Sequence, residues 1–359
     1  MINLAIVFGS LSSEHDVSCV SVSNILKNLN KGKYNVLKIG ITKKGEWFLT
    51  EADTAHIADG SWKNLETNIP VSLSSSRANR GIIEIGGKGR VFPVDCVWPV
   101  LLGKYGEDGT IQGICEMAGI PYVGPGVCAS AVSIDKSFTK LIVGTTNVKQ
   151  ADYFLTNLDN YSKSPDSTVN SVEYYFNGKY PLFIKPACEG SSIGVFKVTD
   201  RKMLTECLKK AFMFDKKILI EEAILGREVE VAVLGNSYPK ASCVGEVLAA
   251  NDFYDFEAKY ENPESKTIIP ANISENASNK LREAAITIYK AIECKGLSRV
   301  DFFLLENDEI IFNEINTLPG FTDISMYPKL WEATGIPYSA LLDKLVELAF
   351  ASFADSIDT

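Results

Sequence analysis

Histidine is nearly absent from this chain. Only His15 and His56 occur, too few and too far apart for a histidine-rich metal site. Long apolar runs are missing too: none approaches the roughly 18–20 residues of a membrane helix, so no membrane span is expected. Positive charge is in short supply. Lys and Arg number 36 against 45 Asp and Glu, a net charge of −9, with a pI near 5.0. Nucleic acid is therefore not expected as the main partner, because binding a phosphate backbone takes a clustered basic face. Cysteines stand at 19, 96, 115, 128, 188, 207, 243 and 294, with no Cys-x-x-Cys or other metal spacing. Reduced, mostly buried thiols are expected. Ile2 to Phe8 is short and apolar, and no basic segment precedes it, which is unlike a secretory signal. These absences predict a cytoplasmic protein. No internal repeat is present.

What remains is an ordinary folded composition, 46% apolar and 23% charged over 359 residues, enough for two or three domains. The most informative stretch is Ser298 to Asn316. Two apolar, β-prone runs, Ser298–Leu305 and Ile310–Asn316, flank a polar Glu306-Asn307-Asp308-Glu309, a hairpin signal. A turn symmetric about Asn307-Asp308 puts Asp301 opposite Glu314 and Arg299 opposite Asn316. Side chains two apart on a strand share a face, so all four project together. Directly opposed carboxylates repel, and polar groups among Val, Phe, Leu and Ile are costly to bury unpaired. A hard cation held by oxygen ligands resolves both problems, and Mg²⁺ beside substrate phosphates is the usual case. The blander reading is an edge hairpin with a solvated polar face, its other face carrying Val300, Phe302, Leu304 and Ile315.

In chain order, Met1–Gly9 reads as a buried strand, about Val17–Leu29 as a helix and Tyr34–Ile41 as a second strand. This β-α-β start implies a doubly wound parallel sheet. Ligands bind beyond the carboxyl ends of such strands, where Glu14 lies; Ser13 and Asp16 read as helix caps. Residues 51–90 carry little signal. Asp95–Leu102 is a further strand. It runs into Gly103-Lys104-Tyr105-Gly106-Glu107-Asp108-Gly109, a helix over Thr110–Ala118 closed by Gly119, and a short last strand at Ile120–Gly124. A first domain over 1–125 is predicted.

A second domain is expected over 126–216. Lys136 and Lys140 lie one turn apart on a helix, and a lone lysine there reads as a solvated face. Tyr180–Pro186 and Val195–Val198 form a hairpin whose loop, Ala187–Gly194, carries Gly and Ser able to surround phosphate. It lacks the Walker Gly-Lys-Ser/Thr entry into a helix. Lys185 ends a strand among apolar residues and calls for an anion. The third domain, 217–359, opens with strands flanking a turn at Gly226. Acidic residues beside that apolar strand suit an adenine amino group and ribose hydroxyls. The aromatic and charged stretch Asn251–Lys266 reads as an active-site lid. A helix over Ser278–Glu293 precedes the hairpin. Turn-rich Thr317–Pro328 follows it and could receive an anion or carboxylate on its N–H groups. The terminal helix, Tyr338–Phe353, carries a core stripe of Leu341, Leu342, Leu345, Leu348 and Ala349.

Ser13-Glu14-His15-Asp16-Val17-Ser18, Gly106-Glu107-Asp108-Gly109, Asp135-Lys136, Lys185-Pro186 with Glu189-Gly190-Ser191-Ser192, Glu257-Ala258-Lys259-Tyr260, Arg299-Val300-Asp301 and Asn313–Gly320 together resemble the D-alanine–D-alanine ligases. The match runs in order along nearly the whole chain. The resemblance implies an α/β ATP-grasp fold of three α/β domains, with the nucleotide held between the central and C-terminal ones. It implies ATP-dependent joining of two D-alanines through an acyl phosphate, for peptidoglycan precursors, and a homodimer. By the same resemblance, Asp301, Glu314 and Asn316 would hold two Mg²⁺, or Mn²⁺ in their place. Lys136, Lys185 and Lys259 would contact ATP phosphates, with Glu189, Ser192 and Asn313 also at the nucleotide. Glu221, Glu222, Ala223 and Ile224 would receive adenine, and Glu228 the ribose. Arg299 and the Gly320 N–H would stabilise the tetrahedral oxyanion. Glu14 would bind the first ammonium, with Ser191 and Tyr260 locking the lid onto it. Ser325 and the Met326 N–H would hold the second carboxylate.

Some positions depart from the family pattern. Leu102 stands where the family usually has His, which puts rate, pH profile or substrate choice in question. Ser10 follows Gly9 where Gly-Gly is common. Cys188 replaces a polar or basic residue in the phosphate loop and reads as an exposed, oxidisable thiol. The serine and lactate relatives often carry Arg where Met326 stands, so an apolar Met favours D-alanine as acceptor. D-serine or D-lactate ligation on the same scaffold remains the alternative reading. A nucleotide-binding regulator without catalysis is the reading from another class.

Overall fold

Strand β1 (Ile2–Gly9) is buried from Leu4 to its end. Its side chains alternate between two cores, Leu4, Ile6 and Phe8 entering one and Ala5 and Val7 the other. A strand covered on both faces needs an uninterrupted apolar run, and this one has it. The computed structural model describes residues 1–248 and 266–357. β1 lies parallel to β2 (Tyr34–Ile41) on one side and β7 (Cys96–Val100) on the other. This is the expected parallel arrangement. The sheet is then extended antiparallel by β3 (Trp47–Leu49), β4 (Ile69–Leu73), β5 (Gly81–Glu84) and β6 (Val91–Pro93), in the order β6-β5-β4-β3-β2-β1-β7. Of those strands, β4 and β5 come from the stretch 51–90 that carried little sequence signal, and β3 and β6 flank it. They are short, and their alternation is broken by turns, which leaves too few residues for a period-2 pattern. The strand expected at Ile120–Gly124 is reduced to one bridge, Tyr122 beside Val97.

Helix α1 (His15–Asn28) begins two residues earlier than the periodicity suggested. Glu14 occupies its N-cap position without a capping side-chain bond, so Ser13 is not the cap. Asp16 sits in the first turn, where a negative charge complements the helix dipole. Helix α2 (Thr54–Ala58) packs on the same face of the sheet as α1, through Ile57, whereas α3 (Thr110–Ala118) covers the other face, through Ile111, Cys115 and Ala118. Gly119 closes α3 with positive φ, as expected.

The central sheet is antiparallel, in the order β10-β9-β11-β8. It comprises β8 (Tyr153–Asn157), β9 (Leu182–Pro186), β10 (Phe196–Val198) and β11 (Lys217–Glu222). β11 hydrogen-bonds to both β8 and β9, so the expected break at 216/217 falls one strand too early for this sheet. Helices α4 (Val127–Ile134) and α5 (Lys136–Val143) precede it, and α6 (Leu158–Lys163), α7 (Pro165–Tyr175) and α8 (Arg201–Ala211) lie within it in sequence.

The third sheet runs β14-β13-β12-β15-β16, built from β12 (Arg227–Leu234), β13 (Lys240–Leu248), β14 (Lys266–Ile268), β15 (Leu297–Leu304) and β16 (Ile310–Asn316). Helix α9 (Glu275–Ala291) covers one face. Ala129 of α4 and Val143 of α5 pack into the same core. Helices α10 (Met326–Ala333) and α11 (Tyr338–Ile357) follow. The α11 residues Leu341, Leu342, Leu345 and Ala349 enter the core that Leu4, Ile6 and Phe8 of β1 build. The last helix therefore joins the third region to the first. Among the described residues, no helix is long and apolar enough to cross a membrane.

The β15–β16 register pairs Arg299 with Asn316 and Asp301 with Glu314, as the sequence implied, but shifts between Asp301 and Phe302, where Phe302 meets Phe312. Asn313 is thus the extra residue of a β-bulge, a device that re-aims side chains near active sites. The turn is also not symmetric about Asn307-Asp308. Leu305 N donates to Glu309 O at 2.9 Å, and Asp308 adopts a positive φ of 58°, the form of a three-residue hairpin loop. The bulge and the shifted turn offset each other, which is why the pairs at the far end agree.

Behind this face, Phe302 is buried edge-on to Phe312, 6.1 Å between ring centroids. Truncating Phe302 to Ala should lower stability by about 3–5 kcal/mol, because the tightly packed site cannot fully collapse. Chemical denaturation of the two proteins measures the difference.

Candidate active site

Two adjoining cavities meet at the polar face of the hairpin. The larger, about 310 Å³, lies between the central and third sheets and is lined by Lys136, Lys185, Ser192, Ile224, Glu228 and Asp301, among others. The smaller, about 110 Å³, is lined by Glu14, Leu102, Ser191, Arg299, Gly320 and Met326, among others. Gly190, Glu230 and Glu314 line both.

The hairpin face is organised by Arg299. Its Nε and Nη2 donate to the two Asp301 oxygens at 2.8 and 2.7 Å. Nε also lies 3.0 Å from Glu230 Oε2, which β12 brings opposite Asp301. Burial opposes the guanidinium charge, but the Asp301 and Glu230 carboxylates hold its pKa well above the ordinary value. Asn316 Nδ2 donates to Asp301 Oδ2 at 3.0 Å. The repulsion expected between opposed carboxylates is thus already offset in part by a resident cation of the protein. Asp301, Glu314 and Asn316 still offer two carboxylates and an amide oxygen on one face. That hard-oxygen set suits a small divalent cation whose shell is completed by phosphates and water. Among the described residues no group of three or more His, Cys, Asp and Glu is placed to hold a metal ion.

In the larger cavity, Lys136 Nζ donates to Glu189 O at 2.6 Å. Lys136 begins α5, whose N-cap Asp135 accepts from the N–H groups of Ser137 and Phe138. Lys185 Nζ sits 2.6 Å from Glu221 Oε2 and donates to Asn313 Oδ1 at 3.1 Å. The bulge thus turns Asn313 toward Lys185. Glu221, expected at the adenine, lines this cavity. Its second oxygen, Oε1, lies 2.9 Å from Lys140 Nζ, so both oxygens are engaged by lysines. Burial opposes its charge, but Lys185 and Lys140 pull the carboxyl down to about 2. Glu222 is exposed and accepts from Asp152 N at 2.9 Å, and Ala223 N donates to Pro181 O at 3.3 Å. The chain from Ala223 to Gly226, which links two separate sheets, lines the cavity with Glu221, Glu222 and Glu228.

The phosphate-type loop reaches across to the first domain. Ser191 and Ser192 both adopt positive φ, 49° and 60°, and the Ser191 hydroxyl donates to Glu14 Oε1. Cys188 is exposed, as expected; desolvation, then the Asp135 and Asp215 charges, push its thiol up to about 12, which disfavours the reactive thiolate.

In the smaller cavity, Glu14 is buried among tight neighbours. A Cβ at Gly103 would come within 3.0 Å of Glu14 Oε2, and one at Gly190 within 3.2 Å. Leu102 is 5% exposed and presents an apolar wall. Ser325 precedes α10, whose N-terminus faces the cavity; Ser325 Oγ accepts from Thr322 N at 2.9 Å. A helix N-terminus with its N–H groups suits a carboxylate. The Met326 side chain is buried, and a Cβ at Gly245 would lie 2.4 Å from its methyl. The missing side chain at 245 is what seats Met326.

Three residues were not singled out from sequence. Glu107 lies inside the Gly-Glu-Asp-Gly run; its Oε2 accepts from Gly103 N at 2.7 Å and its Oε1 from Leu318 N at 3.1 Å. Glu230 looked like any charged strand residue. Lys140 looked solvated and is buried. A buried Lys spaced one turn from a site Lys is the available signal for it. Lys259 and Tyr260, with the rest of the expected lid, lie outside the described residues.

Comparison with known proteins agrees with this geometry. The family model described as D-ala D-ala ligase N-terminus matches residues 3–125, and that described as D-ala D-ala ligase C-terminus matches 142–347. A D-alanine–D-alanine ligase B of Clostridium tetani is 48% identical over 97% of this chain and 93% of its own. A D-alanine–D-alanine ligase of Ruminiclostridium cellulolyticum is 48% identical over 98% and 96%. Among solved structures, the VanG D-Ala:D-Ser ligase from Enterococcus faecalis superposes with a TM-score of 0.88 at 39% identity, covering 97% of this chain and 99% of that one. The D-alanine–D-alanine ligase from Coxiella burnetii superposes with a TM-score of 0.85 at 32% identity, covering 100% and 98%.

Burial, and then the Glu14 charge, push Glu107 from 4.5 up to about 8. Between these values the folded state holds a proton that the unfolded chain has released. This group therefore makes stability fall as pH rises through that window. Melting temperatures from pH 5 to 8 should converge at the acid end and diverge toward pH 8, with Glu107→Gln gaining on the parent protein as pH increases.

Proposed function

This chain belongs to the D-alanine–D-alanine ligase family, and we propose that it joins two D-alanines at the expense of ATP, supplying a cell-wall precursor in the cytoplasm. The observation that carries this reading is the wall shared by the two cavities, where Glu314 faces both. A phosphoryl donor in the larger cavity and an amino-acid carboxylate in the smaller one would meet there. The first D-alanine's carboxylate attacks the γ-phosphate, releasing ADP and forming an acyl phosphate. The second D-alanine's amine, with its proton lost, attacks the carbonyl carbon, and phosphate leaves from the tetrahedral intermediate. The protein contributes position and charge rather than covalent chemistry.

Glu14, held by Ser191, binds the first ammonium. Arg299 and the Gly320 N–H face the developing oxyanion, and losing one such donor typically slows a reaction by about 10²–10³-fold. Ser325 and the Met326 N–H take the second carboxylate at the head of α10. Lys136 and Lys185 neutralise phosphate charge. Asp301, Glu314 and Asn316 are the residues suited to hold Mg²⁺, which would neutralise phosphate charge. The buried, uncharged Met326 favours a small apolar acceptor over D-serine or D-lactate. The apolar Leu102 wall leaves orientation of the first carboxylate to Arg299 and Gly320.

A competition assay tests the reading: ATP, Mg²⁺ and D-alanine with D-serine or D-lactate, products resolved by mass. D-alanyl-D-alanine should dominate. ATP hydrolysis that ignores D-amino acids, or none at all, would instead indicate a regulator. Asp301→Ala or Glu314→Ala should slow turnover by more than ~10²-fold while circular dichroism stays unchanged; near-parental turnover sinks the metal assignment. Met326→Arg should move the product ratio away from D-alanyl-D-alanine, and an unmoved ratio in the same competition assay would show that residue 326 does not read the acceptor.

A further inference from the structure

The larger cavity's wall conceals a charge imbalance. One carboxylate, Glu221, is held by two ammonium groups, Lys140 at 2.9 Å and Lys185 at 2.6 Å. One lysine suffices to neutralise it. Removing charges from water is costly unless each is compensated, so the second lysine needs a reason. The two lysines differ in reach. The Lys185 side chain is 15% exposed, faces the cavity and also donates to Asn313. The Lys140 side chain is 3% exposed and does not face it. Lys140 is further fixed by its helix and by the Tyr153 ring, 5.3 Å from Nζ, a cation–π contact.

We propose that Lys140 is a positioning residue that keeps Glu221 neutralised, so that Lys185 can turn from Glu221 to the phosphates of a bound nucleotide. With Lys140 present, Lys185 leaves behind a carboxylate that still has a partner at Oε1. Without it, Lys185 is the sole counter-charge of a buried carboxylate, and moving it to phosphate would strand that anion. Lys140 thus acts on the nucleotide through Glu221 and Lys185, touching neither base nor phosphate.

This inference rests on the larger cavity being the nucleotide site. The test compares MgATP with adenosine, which offers the base and ribose but no phosphate. Affinities are measured for the full-length parent, Lys140→Gln and Lys140→Arg, MgATP by calorimetry and adenosine as a competitive inhibitor. Lys140→Gln should weaken MgATP by about tenfold or more beyond any loss for adenosine, in line with a lost charged hydrogen-bond partner. Lys140→Arg, which keeps the charge, should hold the MgATP-to-adenosine ratio within about twofold of the parent. Equal losses for the two ligands in Lys140→Gln would overturn the inference and make Lys140 a merely structural support of the base pocket. No loss at all would overturn it as well. Thermal melts check folding. Should Lys140→Gln not fold, the arginine variant decides, because a tenfold fall in its MgATP-to-adenosine ratio is incompatible with a role that depends on charge. A parent protein that binds no MgATP would sink the nucleotide reading itself, a result distinct from any variant's behaviour.

Discussion

The buried guanidinium of Arg299 is the contact on which the site depends. It lies among Asp301 and Glu230 on adjacent strands, with Glu314 across the hairpin from Asp301. Three carboxylates gathered on one face of a sheet would repel strongly in a medium that screens poorly. Arg299 makes their proximity tolerable. The carboxylate and amide oxygens gathered on that face suit a hard cation. The same guanidinium opens onto the smaller cavity, where an oxyanion would develop. A single fixed charge therefore serves both halves of the proposed reaction. A planar, permanently ionised fork is suited to this role in a way that a flexible ammonium is not.

Around that centre, the three sheets are tied together by contacts between residues distant in sequence. Ser191 reaches Glu14, 177 positions away. Glu107 accepts the Leu318 N–H, 211 positions away. The terminal helix fills a core begun by the first strand. Each tie places a group from one region against the substrate space of another. Rate in such a ligase depends on alignment of two amino acids and a nucleotide, so these long-range contacts matter to function as much as the groups they hold. The Lys140–Glu221–Lys185 arrangement extends the same logic to charge. Burial is tolerated because each ion has a partner, and one partner is spare.

Much of the fold and site was legible because local patterns were strong. The uninterrupted apolar run of β1, the repeat of leucines in α11 and the paired runs of the hairpin each state their own geometry. What stayed hidden had a physical reason in each case. Strands β4 to β6 are too short for alternation to register. β11 resembles any apolar strand, and only hydrogen bonding to β8 and β9 assigns its sheet. The bulge at Asn313 leaves no mark in composition, since one extra residue changes pairing rather than propensity. Lys140 reads as solvated because a helix's buried face is set by what packs on it, not by the helix alone.

Sequence by itself determined which chemical groups are available and which neighbours share a face: Arg299 with Asp301, Asn316 with Glu314, Glu14 at the head of the first helix, the serines of the central loop. Those relations follow from the two-residue period of a strand and the turn of a helix. Tertiary structure alone decided which groups meet across domains and in what ionic state. It engaged both oxygens of Glu221 with lysines, raised Glu107 by burial beside Glu14, kept Cys188 as a thiol and brought Glu230 to Arg299. Desolvation and charge pairing depend on distances between parts of the chain far apart in order, and no local pattern encodes those distances.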